Sequence, residues 1–276
     1  MAVNVQIKQS GFFKKTLTVP EIAAMCNMKY GISDENFRLK GDELDEFSLL
    51  YNPDKLARGI EISFDDKDIN LKLSLPTTGG EVRDFYGVIE KICGRLKLKE
   101  YFRDDERVSV DDSQHCITAD MTASADALMS IGDKIQNGET DNFIILGISN
   151  PISLGPEEIK VIDGDYDNFE KLLDRLQQMD VYYAAPLVYS KAEDHLFGCY
   201  AIGEDIPSVV PTKPYILMSN LDVKEWYVLM PNNTVVRYEN FIENVSQKVH
   251  YDGNHVIVNV SASDIAMFKE KYQTEI

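Results

Sequence analysis

The stretch from Gly59 to Leu98 constrains the fold of this chain most strongly, because it combines two different periodicities. Its first part contains two short runs in which every second residue is apolar: Ile60, Ile62 and Phe64, then Ile69, Leu71, Leu73 and Leu75. A period of two places each set of side chains on one face of a β-sheet. Residues 65–68 between the runs are all charged, which predicts the turn of a β-hairpin.

The second part of this stretch predicts an amphipathic helix. Thr78 and Glu81 have the spacing of a capping box, in which each side chain satisfies a free backbone amide at the start of a helix. Apolar residues then recur three or four positions apart, as on one helix face: Val82, Phe85, Tyr86, Ile89, Ile92, Cys93 and Leu96. The sequence therefore predicts strand, strand and helix, with the helix packed on the sheet.

A weaker version of the same arrangement lies near the C-terminus. Asp252-Gly-Asn254 is a hairpin turn signal between two runs rich in valine, and Ser261 and Asp264 repeat the capping spacing before a helical stripe. The two units could reflect a duplication, or they could be independent instances of a common arrangement. No fixed sequence period links the two units, so both explanations stay open.

The remaining patterns predict an α+β fold with mixed or antiparallel sheets, hairpin-then-helix units, and helices packed on the sheets. Further helices are expected at 21–28, 120–137, 166–180 and 238–245, and further strands at 3–7, 12–19, 47–51, 181–189, 196–202, 215–218, 226–230 and 234–238. The charged segment 100–112 predicts a solvated connection. The continuous apolar run 143–148 predicts a central strand covered on both faces. Segment 157–162 could be a strand or a helical turn.

The length of 276 residues suggests one or two domains. We expect an N-terminal α+β half at residues 1–140 and a strand-rich α+β half at 141–276, or one continuous domain.

The net charge limits the classes of partner that the protein can bind, and the cysteines indicate its cellular compartment. The chain has 46 acidic and 28 basic residues, a net charge of −18. Such a charge repels phosphate backbones and anionic lipid heads, so we expect neither nucleic-acid nor membrane-surface binding. No apolar run approaches the roughly 20 residues of a membrane helix, and no signal peptide is evident. Four widely spaced cysteines, without a C-x-x-C pair, predict reduced thiols and a cytoplasmic protein.

Three segments resemble an uncharacterised family of bacterial proteins that carries only a domain-of-unknown-function label. They are Tyr30-Gly-Ile-Ser-Asp-Glu-Asn-Phe37, Phe47-Ser-Leu-Leu-Tyr-Asn-Pro53 and Gly59-Ile-Glu-Ile-Ser-Phe64. The resemblance covers most of the chain and implies a bacterial cytosolic protein. It transfers no catalytic residue.

The acidic cluster Asp163-Gly-Asp165-Tyr-Asp167 is the most site-like group of carboxylates. Acids at alternate positions open a calcium-binding loop, but Asn168 stands where that loop needs glycine and Asp174 where it needs glutamate. The alternative is a turn in which Asp167 caps the following helix, and this reading is favoured over a metal.

No other motif predicts a catalytic residue, a cofactor or a metal. Thr77-Thr-Gly-Gly80 opens a helix, where a phosphate can bind free amides, yet it lacks the lysine of a P-loop and favours plain capping. His195 and Cys199 lie four apart in an apparent strand, and His115 and Cys116 are adjacent, so neither pair has zinc spacing. A cysteine–histidine pair assembled only in the fold stays an alternative.

Aromatic residues are frequent on the predicted strands of the second half, and some would face outward as a protein-binding surface: Tyr182, Tyr183, Tyr189, Phe197, Tyr200, Trp226 and Tyr227. Burial between sheet and helices is the alternative. The leading hypothesis is a non-enzymatic protein that binds a protein partner through an acidic or aromatic surface. The alternatives are a hydrolase using Asp163, Asp165, His195 and Cys199, and a small-molecule sensor with a large cavity.

Overall fold

The computed structural model describes residues 1–9, 16–192, 195–217, 219 and 221–276, without the side chains of residues 191, 192 and 195. The chain forms two compact units, Met1–Gln178 and Met179–Ile276. A compact unit is not necessarily a domain that folds independently. The predicted domain boundary near residue 140 therefore stays a prediction.

The first unit is built on an eight-stranded antiparallel sheet with the order β3-β2-β4-β5-β6-β1-β7-β8. Its strands are β1 (Ala2–Ile7), β2 (Lys29–Ser33), β3 (Leu39–Gly41), β4 (Ser48–Tyr51), β5 (Ile60–Asp65), β6 (Asp68–Ser74), β7 (Glu100–Arg103) and β8 (Glu106–Ser109). A separate two-stranded antiparallel sheet consists of β9 (Phe143–Leu146) and β10 (Pro151–Leu154).

This unit also contains helices, and one of them follows the predicted hairpin of β5 and β6. They are α1 (Val19–Cys26), α2 (Gly79–Leu96), a 3-10 helix (Val110–Asp112), α3 (Ser113–Gln136), α4 (Pro156–Ile162) and α5 (Tyr166–Gln178). None of the helices in the described part of the chain is both long enough and apolar enough to cross a membrane.

The predicted hairpin and helix form the centre of the first core. Ile62 lies opposite Leu71 across β5 and β6, and both pack in one buried cluster with Phe85 and Ile89 of α2. Each such side chain, fully buried, contributes about 1.5–3 kcal/mol relative to exposure. The opposite face of the sheet is polar, so α2 fixes which face of the hairpin is the inner one.

The segment after α2 differs from its prediction. Residues 100–112 form the hairpin β7–β8 at one end of the large sheet, followed by the 3-10 helix. Asp104 and Asp105 make its two-residue turn with φ of 46° and 68°, both in the left-handed region that such hairpin turns require. Charged side chains suit an edge strand because they discourage pairing with another chain. The prediction of a solvated connection is therefore wrong.

The apolar run 143–148 is also not a central strand. It turns back after Leu146, so that β9 pairs with β10 in the two-stranded sheet, and Phe143 is 42% exposed. Segment 157–162 belongs to the short helix α4, and α3 begins at Ser113 rather than at residue 120.

The second unit contains two four-stranded sheets, with the orders β11-β14-β18-β17 and β12-β13-β15-β16. Its elements are β11 (Tyr182–Tyr183), β12 (Pro186–Ala192), β13 (His195–Ala201), β14 (Ser208–Pro211), β15 (Val223–Met230), β16 (Thr234–Arg237), α6 (Tyr238–Asn244), β17 (Gln247–Asp252), β18 (His255–Asn259) and α7 (Ala262–Tyr272). The pairs β11–β14 and β13–β15 are parallel, so both sheets are mixed. The α+β class is confirmed.

Two strand predictions need correction or lie partly outside the described residues, and one strand was missed. Residues 215–217 are irregular, and Met218 is outside the description. The strand β14, which lies between β11 and β18, was missed because prolines at 207 and 211 flank it. Of the predicted strand at 12–19, residues 12–15 are outside the described residues, 16–18 are irregular, and Val19 begins α1.

Candidate functional site

A groove of about 760 Å³ lies between α3 and α4 in the first unit. Leu128 and Ile135 of α3 and Ile159 and Ile162 of α4 are among its apolar lining residues. The two helices approach closely at Gly132, where an added Cβ atom would lie 3.3 Å from Cγ2 of Ile159. The groove therefore depends on a glycine that faces the neighbouring helix.

The rim of the groove is acidic. Asp133 of α3 and Asp163 and Asp165, which follow α4, line it, together with Lys160. Of the charged residues that line the groove, three are therefore acidic and one is basic. An apolar floor under a negative rim attracts a cation that also carries apolar groups.

The predicted acidic cluster serves helix ends as well as this rim. Asp163 ends α4 in the left-handed region, with φ of 48°, and its amide donates to the carbonyl of Ile159. Oδ1 of Asp165 accepts a hydrogen bond of 2.8 Å from the amide of Asp167 at the start of α5. The helix cap is thus Asp165, and the prediction that Asp167 is the cap is wrong. Within the described residues, no group of three or more His, Cys, Asp and Glu side chains is arranged to hold a metal.

The start of α2 has internal partners at the position where a phosphate was considered. The amide of Gly80 donates to Oε2 of Glu170 at 2.7 Å, and the amide of Thr77 donates to Oγ of Ser124 at 3.2 Å. Thr78 caps the helix by accepting from the amide of Glu81 at 3.1 Å. A carboxylate from α5 therefore occupies the anion position, which argues against phosphate binding.

The side chain of Glu81 does not complete the predicted capping box. Its buried carboxylate accepts from the amides of Gly59 at 2.6 Å and Arg58 at 3.0 Å, and from the hydroxyl of Thr77. Burial raises the pKa of Glu81, against the lowering effect of these hydrogen bonds and of the Arg58 guanidinium. This carboxylate joins the loop before β5 to the start of α2.

Tyr166 belongs both to the groove and to the start of α2. Its ring lines the groove, and its hydroxyl donates to the carbonyl of Thr77. Burial raises the pKa of the Tyr166 phenol to about 12, so the hydroxyl keeps its proton at neutral pH.

The predicted cysteine and histidine candidates are not arranged as nucleophile and base. Cys199 is fully buried in β13, where burial raises the pKa of its thiol to about 11, so the thiol is protonated at neutral pH. The backbone of His195 begins the same strand, and its side chain lies outside the described residues. His115 and Cys116 lie on α3, the first exposed and the second buried. All four cysteines are free.

The aromatic side chains of the second unit divide between core and surface. Of the seven considered, the buried members are Tyr183, Tyr200 and Tyr227, the half-buried members are Tyr182, Phe197 and Trp226, and Tyr189 is 46% exposed. Tyr189 stacks on Phe197 with ring centroids 5.5 Å apart. An aromatic binding surface stays a prediction, with Tyr189 as its most accessible member.

The second unit also holds a buried histidine cluster that the sequence did not indicate. His255 lies at the start of β18, and its Nδ1 is 2.7 Å from Oδ1 of Asp252. Its Nε2 is 3.0 Å from the hydroxyl oxygens of both Tyr183 and Tyr215. The spacing of Asp252 and His255 across a hairpin turn was a usable signal. The two tyrosines come from distant segments, and nothing local pointed to them.

One comparison with known proteins gives a result for this chain. A family model described as Domain of unknown function (DUF4299) matches residues 2–268. No curated protein and no solved structure matches. The match covers nearly the whole chain, as the resemblance of residues 30–64 suggested.

Proposed function

We propose that this chain, which belongs to the family described as Domain of unknown function (DUF4299), is a non-enzymatic protein that binds a protein partner. The binding site is the groove between α3 and α4. It receives the apolar face of an amphipathic helix that carries lysine or arginine at its margins. The four free thiols support the cytoplasm as the compartment, since cytoplasmic reductants keep thiols reduced.

The observation that carries this proposal is an apolar groove with an acidic rim. Proteins that bind helices present such a groove to residues at positions i, i+3, i+4 and i+7 of the partner. Asp133 and Asp163 are exposed residues that line the groove, so basic residues at the margins of a bound helix would gain favourable electrostatic contacts. The net charge of −18 adds long-range attraction, which speeds encounter with a basic partner.

A second candidate is the binding of a small cationic amphiphile in the same groove. Its volume of about 760 Å³ falls within the range of small-molecule sites, roughly 300–1,000 Å³. A small ligand would raise the melting temperature without any peptide present. The hydrolase alternative has less support, because the thiol of Cys199 is buried and protonated.

The direct test uses a synthetic leucine–lysine peptide of roughly 15 residues, long enough for an isolated amphipathic helix to form on binding. Fluorescence anisotropy should show saturable binding to the wild-type protein, weakened by salt. A scrambled peptide of the same composition, which lacks an apolar face, should bind more weakly by at least about tenfold. Equal binding of both peptides would show non-specific charge attraction and contradict the proposal.

Matched variants place the binding site. Asp133→Asn/Asp163→Asn removes two rim charges, and Asp126→Asn/Asp141→Asn removes two exposed charges outside the groove. Ala125→Trp fills the groove, whereas Ser130→Trp adds the same ring at an exposed position of α3 that does not line it. We expect the first variant of each pair to weaken peptide binding and the second to leave it unchanged. The same four proteins, used as bait in a host lysate, should retain or lose a salt-sensitive partner in parallel.

A further inference from the structure

A pocket of about 520 Å³ lies on the polar face of the eight-stranded sheet, on the side opposite α2. Its volume falls within the range of small-molecule sites, roughly 300–1,000 Å³. All its lining residues belong to β1, β5, β6 and β7 or to the turn between β7 and β8. The positions of its side chains are therefore set by the registers of paired strands.

Three neutral polar side chains form a row across the floor of this pocket. Ser63 of β5 lies opposite Asn70 of β6, and Asn70 lies opposite Gln6 of β1. Paired strands are about 5 Å apart, so the polar groups of the row follow one another at that interval. Phe102 of β7 lies opposite Gln6 and places an aromatic ring at the end of the row.

The hydrogen-bonding groups of this row are available to a ligand. Within the residues that the structure describes, the side chains of Ser63, Asn70 and Gln6 form no hydrogen bond with another protein group, and all three are half-buried. Amide and hydroxyl groups can both donate and accept hydrogen bonds. A ligand that displaces water from this row must therefore offer donors and acceptors together.

The polar residues beside this row are paired with one another. Nζ of Lys72 lies 3.2 Å from Oε2 of Glu61. Oδ1 of Asp104 accepts from the backbone amide of Asn4 at 3.1 Å and from its side-chain amide at 3.3 Å. Oδ2 of Asp104 also lies 3.8 Å from Nη1 of Arg103. Because the protein compensates these charges internally, the pocket favours a neutral ligand over an anion or a cation.

The aromatic end of the pocket is held in place by two cations. Nζ of Lys8 lies 4.5 Å from the centroid of the Phe102 ring, and Cζ of Arg107 lies 5.6 Å from it. Both distances are within the range of cation–π attraction, which restrains the ring. Asp105 adds an exposed carboxylate at the rim, where solvent and salt screen its charge. The pocket thus combines neutral hydrogen-bonding groups with a restrained aromatic ring.

We propose that this pocket binds a short, linear, neutral oligosaccharide, which lies across the strands from Ser63 to Phe102. Each sugar hydroxyl both donates and accepts, so two adjacent hydroxyls complement the N–H and C=O groups of one Asn or Gln amide. The C–H groups of a sugar ring pack against the aromatic ring at the end of the row. The interval between strands is close to the length of one sugar unit, so successive units meet successive side chains of the row.

This site is separate from the groove between α3 and α4 and does not depend on the function proposed for that groove. Strand faces bind oligosaccharides in other folds, of which the OB-fold is an example. A nucleic-acid strand has comparable dimensions, but the net charge of −18 repels its phosphates.

The test is isothermal titration calorimetry of the full-length protein with cellotriose, maltotriose and glucose. The two trisaccharides differ in backbone shape, and glucose reaches only one member of the row. We expect at least one trisaccharide to bind with a dissociation constant below about 1 mM, and glucose to bind at least about tenfold more weakly. Weaker binding by both trisaccharides overturns the proposal, and so does glucose binding of equal strength.

Matched variants locate the saccharide site. Gln6→Ala should lower the affinity by at least about tenfold, because the amide can form two hydrogen bonds, and Ser63→Ala should lower it by about threefold. Gln114→Ala, at an exposed position of α3, and Ser74→Ala, on the same sheet face but outside the pocket, should leave the affinity unchanged. An unchanged affinity in Gln6→Ala overturns the location of the site.

Nuclear magnetic resonance of the wild-type protein tests the location even where a variant fails to fold. In ¹⁵N-labelled protein, the side-chain amide signals of Gln6 and Asn70 should shift in a saturable way as the trisaccharide is added, and that of Gln114 should not. Binding without a shift of the Gln6 and Asn70 signals would place the ligand elsewhere and overturn the assignment.

Discussion

Glu170 of α5 accepts a hydrogen bond from the amide of Gly80, so a side chain of one helix caps the start of another. The oxygen–nitrogen distance is 2.7 Å, and Lys55 forms an ion pair with the same carboxylate at 3.3 Å. The positive end of the α2 dipole adds to the attraction. This contact fixes α5, and with it the rim residue Asp165, against the central helix of the first unit.

Replacing Glu170 should lower the free energy of unfolding through the loss of this cap. We expect Glu170→Ala to cost about 1–2 kcal/mol and Glu170→Gln about half as much, because the amide oxygen still accepts from Gly80. Urea denaturation measures both values. Glu90→Ala, at an exposed position of α2, should change stability by less than about 0.5 kcal/mol. Equal effects of all three substitutions would contradict the capping role.

The stability of the protein should depend on pH through Glu81. Its folded-state pKa is raised above the ordinary value of 4.5, so the folded state binds this proton more tightly than the unfolded chain. The resulting stabilisation is complete below pH 4.5 and is lost as pH rises through the folded-state pKa. Urea unfolding of wild type and Glu81→Gln between about pH 4 and pH 8 isolates the effect. The wild type should lose stability relative to the variant as pH rises, and a difference independent of pH would refute the assignment.

Arg103 and Asp120 form an ion pair that is expensive to break on one side. Nη2 of Arg103 lies 2.5 Å from Oδ1 of the buried Asp120, and the hydroxyl of Tyr86 donates to Oδ2. Arg103→Ala leaves a buried carboxylate without its counter-ion and should cost about 3 kcal/mol. Arg107→Ala breaks the exposed pair with Glu100 on the same hairpin and should cost less than about 1 kcal/mol. Similar denaturation midpoints for the two variants would argue against this difference.

Gly198 is required by the side chain packed over it. A Cβ atom at this position would lie 2.2 Å from Cζ3 of Trp226, whose ring also stacks on Tyr200 with centroids 5.6 Å apart. Gly198→Ala should therefore destabilise the second unit by about 1–3 kcal/mol. Because Trp226 is the sole tryptophan, its fluorescence follows the unfolding of that unit.

The control for Gly198 is Gly94→Ala in α2, where an added Cβ meets no atom within 4 Å. Alanine favours helix over glycine by about 0.5–1 kcal/mol, so this substitution should be stabilising. A Trp226 signal unaffected by Gly198→Ala would show that the ring can move aside.

The sequence predicted those parts of the fold in which the interacting residues are close together along the chain. The alternation around Ile62 and Leu71 and the stripe through Phe85 are local patterns, and the register of β5 with β6 follows from them. The hairpin β7–β8 was missed because Asp104-Asp105 is a weak turn signal and its charged residues resemble a loop. The strand β14 was missed because its prolines lie at strand ends, where they break no ladder.

The candidate sites depend on distances that a sequence does not contain. Thr78 and Glu81 have capping-box spacing, yet the carboxylate turns to Gly59, which lies 22 positions earlier in the chain. Asp163 and Asp165 were recognised as acidic, but the groove beside them needs Gly132 and Ile159 to face each other. Tertiary packing determines both the partner of Glu81 and the position of the groove, and the spacing of residues in the sequence does not predict tertiary packing.

Tyr166 gives the groove a thermodynamic connection to the central helix. Its ring lines the groove, and its hydroxyl holds the carbonyl that immediately precedes the turn into α2. If an occupant favours the position of Tyr166 that makes this bond, it must slow amide hydrogen exchange at Thr78 and Gly80. Linkage is reciprocal, so a change that frays the start of α2 must lower the affinity of the groove for its occupant by the same factor. The hairpin and helix that organise the first core would thereby set the affinity of a surface to which they contribute no side chain.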